Sequence, residues 1–144
     1  MLYLAGKAIN ITTTTAPHAI SYPITTYCGL PHGHAVAMTL GYFFEINFNC
    51  TNIVDLRGAK YLKNTMKELY GMFGVNSPLE CKNKWHHLMA SIGLESDMES
   101  AGFSSANVNK IINNVDLQRL SNNPVYVSKN TLEGIFLHYK TRKN

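Results

Sequence analysis

The sequence is poor in charge, in cysteine and in long apolar runs. Charged residues make up 15% of its 144 positions, against about a quarter in ordinary soluble domains. Much of its surface is therefore expected to be covered, by its own fold or by a neighbour. Three cysteines, Cys28, Cys50 and Cys81, form no C-x-x-C pair. That argues against a disulfide framework and for reduced thiols in a cytoplasmic protein. No basic segment precedes an apolar run at the start, so no signal peptide is expected. No apolar stretch approaches the length needed to span a bilayer, and no membrane partner is expected. The net charge is +4 and the basic residues are scattered. Their only cluster, "KTRKN" at 140–144, reads as a solvated end, so no nucleic-acid partner is expected.

Strand-like alternation is also missing. It never persists, and "VYV" at 125–127 is the one candidate. What is present is helix punctuation. With 45% hydrophobic residues the chain can bury one core, and residues 1–144 are expected to form a single all-α bundle. "MLYLAGKAIN" reads as a helix with no cap before its first apolar residue. A second starts near Pro17 and stops at Gly29, with a kink expected at Pro23. "HGHAVAMTLGYFFEIN" puts Val36, Leu40, Phe43 and Phe44 on an apolar face. "LRGAKYLKNTMKELYGMFG" repeats the pattern and ends at Gly74. "SPLECKNKWHHLMASIG" opens on a capping box, Ser77 to Glu80, and closes at Gly93. Shorter helices are expected over 105–113 and 116–121. A last one, from about Asn130 to Lys140, is capped by Ser128. The chain has no internal repeat.

Three of the six histidines, His18, His32 and His34, lie in "APHAISYPITTYCGLPHGHAVAM", residues 16–38. From spacing alone they fit a metal site, an exposed turn or core histidines with partners. A helix leading from residue 18 to a turn near 29 can fold back so that His32 faces it. His34, two positions on, would point away from that face. His86, His87 and His138 read as structural helix residues.

A compound pattern adds to this. "AGKA" at 5–8, His18, Pro23 and "PHG" at 31–33 resemble the C-terminal domain of the iron-containing alcohol dehydrogenases, which reads roughly A-G-x-A, H-x-x-x-H-P-x-G, P-H-G. "NNP" at 122–124 before a capped last helix agrees, so the resemblance spans nearly the whole chain. It implies an NAD(P)-dependent alcohol dehydrogenase or aldehyde reductase using Fe²⁺ or Zn²⁺. His18 and His32 would be two of four metal ligands. The family's other pair, on a D-x-x-x-H step, is missing, because none of Asp55, Asp97 and Asp116 is followed by histidine four residues on. The glycine-rich phosphate loop of the nucleotide-binding domain is missing too. The sequence is therefore expected to be the second half of such an enzyme, inactive alone, with the N-terminal half as its partner. Homo-oligomer formation stays open.

Where the family carries a second histidine four residues after the first, this chain has Tyr22. It could hydrogen-bond substrate, relay a proton or simply pack. "HGH" and "GKAIN" resemble the phosphonoacetaldehyde reductase-like branch of the family. There the resemblance implies that Lys7 and His34 contact a phosphonate, as cations and imidazole donors suit its oxygens. The substrate would be a small alcohol or aldehyde. A stand-alone helical interaction domain without catalysis is the alternative.

Overall fold

Prolines, glycines and short polar caps set the helix limits, and the computed structural model describes them over residues 2–49 and 51–137. Eight helices occur among these residues: α1 (Leu2–Ile11), α2 (Ala16–Cys28), α3 (His32–Phe48), α4 (Gly58–Phe73), α5 (Pro78–Ser91), α6 (Ser105–Asn113), α7 (Leu117–Leu120) and α8 (Lys129–Leu137). The all-α expectation holds. The strand candidate reduces to one antiparallel bridge, Ile53 to Val125.

Local chemistry explains most ends. Gly29 closes α2 at φ 71° and donates its N–H to Thr25 O, a left-handed position where glycine carries no steric cost. Ser77 Oγ caps α5 by accepting Glu80 N–H, and Glu80 reaches back to Asn76 N–H. Ser104 and Ser128 cap α6 and α8 in the same way. Two expectations shift. The fourth helix begins at Gly58, and the seventh covers only Leu117–Leu120 because Asp116 serves as its cap. Pro23 lies buried inside α2, whose helical span continues through it. His138 and the expected end of the last helix lie outside the described residues.

Helix α2 sits between α3, α6 and α7, and α3 continues from α2 to α4 and α5. One buried cluster joins Ile20, Ile24, Met38, Ile111, Leu132 and Phe136. A second gathers Phe44, Leu62, Met66, Tyr70, Cys81 and Val125. Gly41 lets α3 and α5 approach, because a Cβ there would stand 2.9 Å from His86 Nε2. The Trp85 indole N–H donates to Ala37 O at 2.9 Å, tying the same two helices. Asn123, fully buried within "NNP", donates to Asn47 Oδ1 and Val125 O. That motif is thus a structural anchor for the segment before α8. The described side chains of α1 are all exposed.

Candidate metal centre

Three residues separate the end of α2 from His32. They can span roughly 10 Å when extended, about the rise of seven helical residues. The connection therefore runs back along α2, and His32 arrives opposite Ser21 and Tyr22. The His18 and His32 rings lie 5.4 Å apart between centroids, and those of Tyr22 and His32 5.1 Å apart. His18 is half-buried and His32 exposed.

Ser21 is fully buried between the two histidines. Its hydroxyl donates to His18 O at 2.7 Å and stands 3.3 Å from His32 Nδ1. A serine has one proton to give, and the carbonyl takes it. His32 Nδ1–H is therefore the donor to Ser21 Oγ, and His32 Nε2 keeps its lone pair. Burial, and then the repulsion His32 would exert if both rings were protonated, push the His18 pKa below its ordinary value, which favours neutral imidazole. Metal-binding histidines need this state, with the second nitrogen held by a partner.

The other candidates are distributed differently. His34 Nε2 lies 2.7 Å from Glu95 O, so it donates there and fastens the start of α3 to the segment before α6. Lys7 is exposed on α1, with Nζ 4.7 Å above the Tyr3 ring. Tyr22 is partly exposed, and its hydroxyl accepts from Arg119 Nη1 at 2.7 Å. His86 packs its ring edge-on to Tyr42 at 6.2 Å. Among the described residues no group of three or more His, Cys, Asp or Glu could hold a metal ion.

Sequence reasoning missed Ser21 and Arg119. One is a small buried residue, and the other stands 97 positions from its partner. One signal was present for the face itself: His18, Tyr22 and Thr26 recur every fourth residue on α2.

Comparison with known proteins supplies the context. Residues 2–139 match the Fe-containing alcohol dehydrogenase family, C-terminal. Phosphonoacetaldehyde reductase from Streptomyces viridochromogenes is 32% identical over 92 residues, covering 62% of this chain and 23% of that protein. The crystal structure of sulfoacetaldehyde reductase from Bifidobacterium kashiwanohense in complex with NAD⁺ has the same fold, with a TM-score of 0.65 and 23% identity. It covers 89% of this chain and 31% of the other. The chain thus spans less than a third of either relative. It belongs to the Fe-containing alcohol dehydrogenase family and matches its C-terminal part.

Proposed function

We propose that the chain supplies a helical part, carrying two metal ligands, of an NAD(P)-dependent alcohol dehydrogenase or aldehyde reductase. The observation that carries this is the convergence of His18 and His32, with Ser21 holding His32 so that Nε2 is the free nitrogen. Two imidazoles fit part of the coordination shell of Fe²⁺ or Zn²⁺, both of which accept nitrogen ligands. The remaining ligands and most of the NAD(P) contacts belong to the N-terminal half of the family enzyme. When bound, the metal supplies Lewis acidity that polarises a substrate carbonyl.

This chain's own groups do the rest. His18 and His32 hold the ion as neutral ligands. Tyr22 accepts from Arg119 and so keeps its own proton to donate to a substrate oxygen. The substrate is a small aldehyde, and the names of both relatives point to one carrying a phosphonate or sulfonate. Lys7 is assigned to that anionic end, together with His34 in its imidazolium form, in which Nδ1 also carries a proton to donate. The unpaired Cys28 and Cys81 suit a reducing, cytoplasmic setting. No helix among the described residues is long and apolar enough to cross a membrane.

The test is Zn²⁺ and Fe²⁺ binding by equilibrium dialysis. The 144-residue chain is expected to bind weakly, and more weakly as pH falls below about 6.5, the ordinary histidine value from which His18 is lowered. Either His18→Ala or His32→Ala should abolish binding, and His86→Ala should leave it unchanged. If the His18→Ala chain keeps its metal, the interaction-domain reading replaces this one.

A further inference from the structure

We infer that Arg119 is an anion anchor beside the two histidines, recognising the tetrahedral phosphonate or sulfonate end of a short substrate. This rests on the aldehyde-reductase reading above and names the residue that would set its substrate class.

The guanidinium is fixed from three sides. Its Nη1 donates to Tyr22 Oη at 2.7 Å, and its carbon centre lies 4.8 Å over the Tyr22 ring. Its Nε stands 3.4 Å from Asp116 Oδ2. Asp116 also accepts the Arg119 backbone N–H through Oδ1, as the cap of α7. The carboxylate is thus shared between a helix start and one edge of the guanidinium. Arg119 Nη2 has no partner among the described residues, and the side chain is 52% exposed.

A free Nη2 on a held cation suits an oxyanion, because its N–H groups can donate without the side chain first being ordered, while Nη1 and Nε on either side are engaged. A lysine cannot reproduce that shape. The surroundings favour a ligand rather than a packing role alone. Tyr22 links the guanidinium to the His32 ring at 5.1 Å, which in turn meets His18. Arginine, phenol and two imidazoles therefore form one row over α2. A fixed cation stands at one end of the row and the candidate metal ligands at the other. A substrate with an anion at one end and a carbonyl at the other has both groups matched along it. Asp116 faces Arg119, and the charges of the two offset each other.

The experiment is NMR titration of the metal-free 144-residue chain with ethylphosphonate, ethanesulfonate and 1-propanol. Either anion should shift the Arg119 Nε–H and Tyr22 ring signals to saturation, while 1-propanol should leave Arg119 unmoved. Arg119→Gln should weaken anion binding about tenfold or more, the worth of a charged hydrogen bond, with Arg119→Lys between the two. Zn²⁺ binding should be unchanged in Arg119→Gln, and anion binding should persist in His18→Ala, so the two assignments fail separately. Absence of a saturable shift at Arg119 in the unmodified chain overturns the inference, whatever the variants do. So does unchanged ethylphosphonate affinity in a folded Arg119→Gln chain.

Discussion

Helices α2 and α4 use the same spacing in opposite senses. On α4 the residues four apart, Leu62, Met66 and Tyr70, are the buried ones. Leu69 and Phe73 pack half-buried beside them, and the opposite face turns three lysines and a glutamate to water. On α2 the residues four apart, His18, Tyr22 and Thr26, are half-buried or exposed. Ala16, Pro17, Ala19, Ile20, Ser21, Pro23 and Ile24 are buried around them. α4 is a cover with one sticky stripe. α2 is a core helix with one open stripe, and that stripe holds the residues proposed for the chemistry. A helix without a single charged residue can still be polar along the one face its neighbours leave bare.

The largest effects should come from reversing these roles. Ala19 is 1% exposed on α2, and Ala19→Asp would bury a charge without a partner. It is expected to cost about 3 kcal/mol or more, enough to unfold a marginal domain. Lys63→Ala, on the exposed side of α4, should stay within about 0.5 kcal/mol. Urea denaturation followed by circular dichroism reads both. Equal costs would dissolve the contrast between the two helices.

The stripes themselves give a finer test. Met66→Ala removes a buried member of the α4 stripe and should cost about 2–5 kcal/mol. Thr26→Ala removes an exposed member of the α2 stripe and should cost under about 1 kcal/mol, despite its hydroxyl bond to Tyr22 O. A large Thr26 effect would mean that the open stripe is held by packing after all.

The smallest expected effect lies just before α4. Asp55 accepts three N–H bonds from Arg57, and the guanidinium holds its pKa down to about 2. A carboxyl with a lowered pKa contributes stability that is present above its ordinary value near 3.8. That stability is lost as pH falls through 2. The partner of Asp55, Arg57, is largely exposed, so the contribution should be under about 1 kcal/mol. Urea midpoints between pH 4 and pH 2 should fall slightly less for Asp55→Asn than for the unmodified chain. An identical fall would show that the pair adds nothing.

Helix limits were legible wherever a cap or stop acts within a few residues. Gly29, the Ser77–Pro78–Glu80 start and Gly93 all sit where local hydrogen bonding and backbone freedom require them. The His18 and His32 pairing was legible as a pattern, since the fold-back depends on a short connection. Its supporting residue was not. Ser21 reads as a helix-interior serine until His32 is placed against it. His34 shows the converse: the resemblance implied a phosphonate contact for it, yet a bond to Glu95 O occupies one of its nitrogens. Arg119 looked like one more scattered basic residue, because nothing within four residues of it reveals Tyr22.

The sequence by itself determined the all-α class and most of the helix boundaries, which follow from interactions among residues close along the chain; the choice of His18 and His32 rested on the family resemblance. The tertiary structure alone decided which nitrogen of His32 is free, which partner His34 takes and where Arg119 meets α2. Those outcomes depend on packing between helices far apart in sequence, where spacing carries no information about which side chains will touch.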